Sequence, residues 1–411
     1  MPPPAESAPA ATGTYDRGAG PVPAPLLPGE ADINKLERVL AALEGRQPDR
    51  VPTFSLLFDS KPIDDALGMP HLPVYRMVQR PLVQRLVDRT TWLWNTIAHP
   101  NIGGAAFFSN ALRADARLGF DAGLAMYYGL KLIDHEEIED IAGRRYTMCD
   151  DGFGGVYAMY REGMITDPDA WRRFKKVDPA AYARGVRLLF SFLNFVWGGK
   201  IALVASIGVS MQQDITEGMG FTNFVRWARR DPGFLRDIIE YKTELAVQAM
   251  RAAGESGVRV IWFGDDLAFK SGSMLSPKML EGLFGESYRR IAEAAHAGGC
   301  RIVFHSCGNV LDLLTSMADW GFDGVHALEP TAGVTLAEAR RRIGDRLCLC
   351  GNVDITRTLV DGTRREVFRE VERCIVDGSR GGGFILAPTN TSNVVSARNL
   401  GWMVEAAREY G

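Results

Sequence analysis

Short apolar runs recur through the second half of the chain, and most are followed by a segment whose apolar residues keep a helical period. The runs are rich in Val, Ile and Phe, and each ends in Gly or polar residues. Parallel strands that alternate with helices have this composition, because the helices cover both faces of their sheet. The runs lie at residues 201–206, 258–266, 301–307, 324–329, 346–352 and 383–390.

The number of runs predicts an α/β fold, a (β/α)8 TIM barrel of ordinary size. A doubly wound open sheet is the alternative, but no Gly-rich nucleotide-binding loop follows an early strand. In the first half, the pattern predicts a helix at 32–44 and a strand at 50–58. The aromatic-rich stretch 62–97 predicts helices that cap the barrel, with Trp92 and Trp94 among their aromatic residues.

The first 30 residues are rich in Pro, Ala and Gly and hold too little apolar surface to offset the entropy of ordering them. They predict a disordered tail at 1–30. The rest, 31–411, is expected to form one barrel unit, with the helical cap inside 31–100.

The composition narrows the class of protein. With 411 residues, 46% of them hydrophobic, and a formal charge of −3, the chain has material for a large core and no basic surface for nucleic acid. No apolar run approaches the roughly 20 residues that span a bilayer. Six cysteines are few for this length and favour a reducing compartment, so a cytoplasmic location is expected.

Polar residues follow the predicted strands. In a barrel the carboxyl ends of the strands share one rim, and residues gathered there commonly form an active site. Each has an ordinary alternative: a carboxylate or amide can cap a helix or shape a turn, and a cysteine can belong to the core. The strand-end residues are Asp265, Asp266, His305, Cys307, Glu329, Cys350, Asn352, Asp354 and Asn390.

His305 and Cys307 stand two positions apart at the end of one predicted strand. Side chains at positions i and i+2 of a strand project to the same side, so an imidazole and a thiolate there could hold one ion. The pair reads as half a zinc site, although zinc takes three or four such ligands. The alternative is a histidine bonded to a backbone group beside a buried cysteine.

Several motifs resemble those of the uroporphyrinogen decarboxylase superfamily of TIM barrels. This superfamily holds the decarboxylases of haem biosynthesis and zinc-dependent methyltransferases that act on methyl-corrinoids. The resemblance covers nearly everything after the tail. Its motifs lie at residues 37–52, 264–269, 274–277, 305–309, 350–354, 383–388 and 406–411.

Two features separate this chain from the decarboxylases of that superfamily. The strand 53–58 lacks the arginines that meet the substrate's carboxylates. The Phe-Ser-Asp motif of those enzymes is here Phe108-Ser-Asn110. A neutral amide cannot offset the positive charge of a protonated pyrrole, so the sequence argues against porphyrinogen decarboxylation.

The methyltransferase branch uses a His, a Cys two residues later, and a distant Cys on the last strand. His305 and Cys307 match the first two, and Asn390 stands in the place of the third. Since an amide is a poor zinc ligand, Cys350 is the substitute by residue type, and Asp265 or Asp266 could add an oxygen ligand. The resemblance thus implies zinc held by His305, Cys307 and Cys350.

The resemblance further implies a methyltransferase or demethylase that moves a methyl group between a small methylated compound and a corrinoid. Zinc in such a site would hold a thiol as thiolate or polarise an ether oxygen. Asp265, Asp266 and Glu329 are the expected catalytic groups that position or protonate the acceptor or leaving group. Substrate contacts are expected from Asn110, Asn309, Asn352, Asp354 and Asn390.

No Asp-x-His-x-x-Gly corrinoid-binding motif is present, so the corrinoid is expected on a separate partner protein. A homodimer is a further expectation from the superfamily. Two alternative functions remain open: a carboxy-lyase acting on a tetrapyrrole or aromatic acid, and a barrel that binds a ligand without turning it over.

Overall fold

The computed structural model describes residues 34–97 and 102–411, so the tail predicted at 1–30 lies outside the described residues. The strands are β1 (Phe54–Ser55), β2 (Ala122–Met126), β3 (Leu130–Leu132), β4 (Glu137–Asp140), β5 (Arg144–Asp150), β6 (Val156–Gly163), β7 (Ala202–Ser206), β8 (Val260–Gly264), β9 (Ala268–Phe269), β10 (Gly272–Ser273), β11 (Arg301–Ser306), β12 (Gly324–Ala327), β13 (Cys348–Val353) and β14 (Phe384–Pro388).

The α-helices connect and cover these strands. They are α1 (Lys35–Leu43), α2 (Ser60–Leu67), α3 (Val74–Val78), α4 (Pro81–Arg89), α5 (Thr91–Ile97), α6 (Gly103–Leu118), α7 (Pro168–Arg173), α8 (Pro179–Trp197), α9 (Gln212–Met219), α10 (Phe221–Arg230), α11 (Pro232–Glu255), α12 (Pro277–Leu280), α13 (Glu286–Ala297), α14 (Leu314–Asp319), α15 (Leu336–Ile343), α16 (Arg364–Gly378) and α17 (Ala397–Tyr410).

Eight parallel strands form a barrel in the order β1-β2-β7-β8-β11-β12-β13-β14. The two edge strands meet where Thr53 pairs with Leu386, and the Leu386 N–H donates to the Pro52 carbonyl oxygen at 2.9 Å. The predicted (β/α)8 fold is therefore confirmed. Every residue of β2, β7, β12, β13 and β14 is buried, as expected of strands covered by helices.

All six predicted runs are barrel strands, namely β7, β8, β11, β12, β13 and β14, and the segment predicted at 50–58 contributes β1. The sequence reading missed β2. Its residues, Ala-Gly-Leu-Ala-Met, lack the β-branched side chains that mark the other strands.

An antiparallel sheet of four strands, β3-β4-β5-β6, is inserted between β2 and β7 and was also not predicted. The Arg144 side chain fastens this sheet to α9. Its guanidinium nitrogens lie 2.6 Å from Asp140 Oδ2, 2.9 Å from Glu217 Oε2 and 3.1 Å from Asp214 Oδ1. Asp214 is also paired with Lys242 at 2.5 Å, so a buried charge network holds the insertion in place.

The amino-terminal helices lie at both ends of the barrel. Helix α1 packs at the end where β2 begins, because Arg38 Nη1 donates to Asp121 Oδ1 at 2.8 Å. The predicted helices of 62–97 appear as α2, α3, α4 and α5, and contacts join α3 to β5 and α5 to β3. The cap and the inserted sheet therefore pack together.

Within the two described ranges, none of the helices is both long and apolar enough to cross a membrane.

Candidate metal centre

His305 and Cys307 lie at the carboxyl end of β11. Cys307 Sγ is 3.6 Å from His305 Nε2, so the two side chains converge as the strand spacing predicts. The next residue, Gly308, has φ of +84°, and a Cβ there would lie 2.5 Å from the Ala268 carbonyl oxygen. Only glycine fits this turn, which brings the thiol back toward the imidazole.

Asp266 completes a group of three potential ligands. Its Oδ1 accepts the Cys307 N–H at 2.8 Å and lies 3.8 Å from His305 Nε2. The ligand atoms of Asp266, His305 and Cys307 all lie within 4.8 Å of one another. We call these three residues the metal centre.

Cys350, expected as the third zinc ligand, is not one of these residues. Its side chain is buried in β13, and its thiol lies beside that of Cys348. Asp266, which follows β8 next to β11, supplies the third donor instead. The group of potential ligands among the described residues thus has a carboxylate where a second thiolate was expected, and the prediction for Cys350 stays untested.

Asn390 contacts the metal centre through a hydrogen bond: its amide Nδ2 donates to Cys307 Sγ at 3.2 Å. Its Oδ1 accepts the N–H of Thr391 at 2.9 Å, which fixes the orientation of the amide. The residue therefore lies beside the thiol, in the place where the resemblance puts a cysteine. It supports the sulfur through a hydrogen bond.

A second histidine, His326, stands behind the centre and was not singled out from the sequence. Its Nδ1 is 2.6 Å from His305 Nδ1, and its Nε2 is 2.9 Å from the Pro388 carbonyl oxygen. Trp262 stacks on the His305 ring with centroids 4.4 Å apart. The two histidines lie on consecutive predicted strands, but pairing them required the register between those strands, which the sequence does not give.

Burial controls the protonation of the centre. It lowers the pKa of His305 to about 3 and holds that of His326 well below its usual value, so both rings are neutral at pH 7. Burial, together with Asp266 and Glu329, raises the pKa of the Cys307 thiol. Burial also raises the pKa of Asp266, which forms no ion pair with Lys or Arg among the described residues. A bound cation would favour the ionised thiol and carboxyl groups, so these groups are suited to a metal ion.

Two other predicted catalytic residues differ in their placement. Glu329 Oε2 accepts the Gly308 N–H at 3.1 Å, and its carboxylate lies against Cys307. Asp265 is fully buried and accepts hydrogen bonds from three backbone N–H groups at the start of α9 and from Tyr288 Oη at 2.8 Å. Burial raises the pKa of Asp265 to about 6. Its contacts are those of a helix cap, one of the two roles that the sequence left open.

Three of the five residues predicted to contact substrate have contacts that shape the protein itself. Asn110 is exposed on α6. Asn309 and Asn352 donate to backbone carbonyl groups, and Asp354 accepts from backbone N–H groups of the turn after β13. Asn390 alone touches the metal centre.

An apolar cleft of about 390 Å³ lies beside the ends of β1 and β2, between α5, α6 and the inserted sheet. Among the described lining residues, the one amide side chain is Asn95, which is bonded through both Nδ2 and Oδ1 to the backbone of Leu132. The cleft therefore presents mainly aromatic and aliphatic surface. It is lined by Phe58, Trp94, Asn95, Gly103, Gly104, Phe107, Phe108, Met126, Tyr128, Leu130, Leu132 and Ile138.

A short chain of contacts joins the cleft to the metal centre. Asn390 contacts Cys307, and the next residue, Thr391, donates from Oγ1 to Asp59 Oδ2 at 2.6 Å. Asp59 follows Phe58, which lines the cleft. The hydrogen bond between Thr391 and Asp59 is partly buried, and burial raises the pKa of the Asp59 carboxyl group.

A family model described as uroporphyrinogen decarboxylase (URO-D) matches residues 192–410, which is more than half of the chain. The chain belongs to the uroporphyrinogen decarboxylase family. The matched residues include β8, β11 and β14, so the metal centre lies within the part that defines this URO-D family membership. The family expected from the sequence motifs is confirmed.

Curated relatives of this URO-D protein carry methyltransferase names. It is 28% identical to the methylcobamide:CoM methyltransferase MtaA of Methanosarcina barkeri over 189 residues. Those residues make up 46% of this chain and 52% of the relative. It is also 24% identical over 160 residues to a methylated-thiol–coenzyme M methyltransferase of Methanosarcina mazei, and the match covers 39% of this chain and 41% of that relative. The chain spans about half the length of these curated relatives.

A solved structure supports the fold over a longer span. A methyltransferase from Methanosarcina mazei superposes with a TM-score of 0.63 and 19% identity, covering 92% of this chain and 99% of that one. Since the family model matches only residues 192–410, this agreement extends into the amino-terminal part of the chain.

Proposed function

We propose that this protein transfers a methyl group between a cobalt corrinoid, carried by a partner protein, and a small substrate at a zinc site. The observation that carries the proposal is the convergence of Asp266, His305 and Cys307 at the carboxyl ends of two adjacent barrel strands. The names of the methylcobamide relatives support the choice of reaction.

The residues present fit zinc. An imidazole nitrogen, a thiolate and a carboxylate oxygen are its usual ligands, and three protein ligands are typical of a catalytic site with one open position. Zinc bound there would hold a substrate thiol as thiolate or polarise an ether oxygen. Asp266 and Cys307 together would contribute two negative charges, which balance those of the ion.

The chain's own residues then position the reactants. Asn390 holds Cys307 Sγ by its hydrogen bond, and the Gly308 N–H holds Glu329 beside the same sulfur. Glu329 is the group that takes a proton from an incoming thiol or returns one to a leaving oxygen. The apolar cleft would seat the hydrophobic part of the small substrate and exclude water from it.

The first test is the metal content of protein purified without chelator, measured by plasma mass spectrometry. We expect about one zinc per chain in the parent protein and in Cys350→Ala, and loss of zinc in Cys307→Ala. Cys350→Ala is the matched control, because it removes a buried thiol outside the centre. A parent protein without zinc would contradict the proposed site.

The second test is transfer itself. Zinc-loaded protein is mixed with methylcob(III)alamin and a panel of thiols, and loss of the methyl–cobalt absorbance is followed while mass spectrometry detects the methyl thioether. We expect transfer by the parent and by Cys350→Ala, and none by Cys307→Ala. Bound zinc without transfer to any thiol, and without demethylation of methyl ethers in the reverse direction, would leave the metal site standing and overturn the proposed reaction.

A further inference from the structure

The two histidines His305 and His326 form a buried pair on neighbouring strands. They are register partners in the parallel ladder of β11 and β12, and both rings are almost entirely enclosed. Their Nδ1 atoms are 2.6 Å apart, a distance that requires one proton between them. The position of that proton decides which nitrogen of His305 is free to bind a metal.

The hydrogen-bond partner of His326 determines which of the two Nδ1 atoms carries the shared proton. Its Nε2 lies 2.9 Å from the Pro388 carbonyl oxygen, and a carbonyl oxygen can only accept a hydrogen bond. His326 Nε2 therefore carries a hydrogen, and in a neutral ring Nδ1 is then the acceptor. It follows that His305 donates from Nδ1–H and that its Nε2 keeps an unshared lone pair.

That lone pair is on the side of the metal centre. His305 Nε2 is the atom 3.6 Å from Cys307 Sγ and 3.8 Å from Asp266 Oδ1. The stacked Trp262 ring covers one face of the imidazole, so rotation of the ring is restricted as well as its tautomer. Two contacts, one polar and one aromatic, hold the nitrogen in this direction.

We propose that His326 is a positioning residue, which selects the Nδ1–H tautomer of His305 and keeps the Nε2 lone pair directed at the metal ion. The inference rests on the proposed function, since it assigns His326 to the zinc centre. Metal-bound histidines ordinarily donate their second N–H to a carboxylate, a backbone carbonyl or water. Here a neutral imidazole accepts it, so the tautomer is fixed without adding negative charge behind the ligand.

The matched variants are His326→Gln and His326→Leu. Glutamine keeps an acceptor for His305 Nδ1–H and a donor for the Pro388 carbonyl, whereas leucine fills similar space with neither. Zinc affinity is measured by competition with a chromophoric chelator. We expect His326→Leu to weaken zinc binding about 10- to 100-fold and His326→Gln to stay within about threefold of the parent. Equal affinity in all three proteins would overturn the inference.

Nitrogen NMR of the zinc-free protein, labelled with ¹⁵N-histidine, tests the tautomer directly and does not depend on activity. We expect an unprotonated Nε2 for His305 in the parent and in His326→Gln, and exchange between tautomers in His326→Leu. A protonated His305 Nε2 in the parent would overturn the inference. Thermal unfolding of each variant identifies a general loss of folding, which the Gln variant is expected to avoid. Zinc bound with parental affinity but without methyl transfer would instead count against the proposed function.

Discussion

Asn390 is the residue that makes this metal centre chemically different from the one that the family resemblance implies. Its amide donates to Cys307 Sγ and adds no negative charge. A cysteine in its place would supply a second thiolate, which binds zinc tightly but also reduces its acidity. In the proposed site, the Asp-His-Cys set would therefore leave a bound ion more electrophilic than a set with two thiolates would.

We expect Asn390→Cys to bind zinc about tenfold more tightly than the parent, because a thiolate would join the ligands already present. Chelator competition measures the difference. Asn390→Ala is the control, since it removes the N–H···S hydrogen bond without adding a ligand. If the Cys variant held zinc no better than the Ala variant, residue 390 would not face the ion.

The neighbouring carboxylates Asp265 and Asp266 have separate tasks. We expect Asp265→Asn to lower the free energy of unfolding by about 2 kcal/mol, because an amide cannot accept from all the donors that surround this buried group. Zinc stoichiometry should remain that of the parent. Asp266→Asn should do the reverse, keeping stability and weakening zinc binding. Urea unfolding and metal analysis of the two variants would contradict this division if both properties changed together.

What the sequence revealed at this scale depended on how far apart the residues lie in the chain. His305 and Cys307 could be paired because strand alternation fixes the relation of positions i and i+2. Cys350 could not be placed, because its direction depends on the packing of β13 against its neighbours. His326 needed the register of two strands, which no local pattern contains.

Among the elements, the inserted sheet β3–β6 forms part of the cleft. Leu130, Leu132 and Ile138 line one wall of it. No residue of its four strands is fully buried, and the ion pairs of Arg144 with Asp214 and Glu217 attach the sheet to α9. Loss of these ion pairs should therefore destabilise the inserted sheet more than the barrel.

We expect Arg144→Met to raise amide hydrogen exchange in β4, β5 and β6 while the barrel strands stay protected. The reason is that a buried carboxylate network loses its central cation. Arg145→Met is the control, because its ion pairs with Glu139 and Glu162 are more exposed and contribute little. Exchange measured by mass spectrometry would contradict the expectation if both variants behaved alike.

The difference between predicted and missed elements has a physical basis. Runs rich in Val, Ile and Phe are recognisable because those side chains suit a buried sheet. Strand β2 consists of Ala, Gly, Leu and Met, and α6 packs closely on it: a Cβ at Gly123 would lie 2.4 Å from Asp115 Oδ2. Tertiary packing, which local propensity does not record, therefore selected its composition.

At the scale of the whole molecule, closure of the barrel places the Asp121 carboxylate between two arginines, Arg38 and Arg50. Asp121, just before β2, accepts from Arg38 of α1 and from Arg50 and Thr53 near β1. Burial alone would raise the pKa of Asp121, but these partners lower it below its usual value. The first helix and the first two strands of the barrel are thereby joined at one buried point.

We expect Asp121→Asn to reduce the free energy of unfolding by about 3 kcal/mol at pH 7, because two cations lose their buried partner. The pKa is lower in the folded state, so this stabilisation is present above the unfolded value of about 3.9 and is lost as the pH falls through the folded value. The gap between parent and variant should therefore narrow at acid pH. Asp49→Asn, which breaks a more exposed pair with Arg38, should cost less. A gap that stayed constant from neutral to acid pH would contradict this assignment.

The stacking of Trp262 on His305 places an intrinsic fluorophore against the metal centre. An ion bound at Nε2 would draw electron density from the imidazole, and the indole 4.4 Å away would register this as a change in its emission. The chain has eight tryptophans, so the difference between parent and Trp262→Phe would isolate the signal of this one. If zinc binds as proposed, Trp262 would report occupancy of the site, and zinc binding could be timed in a stopped-flow instrument without any added dye.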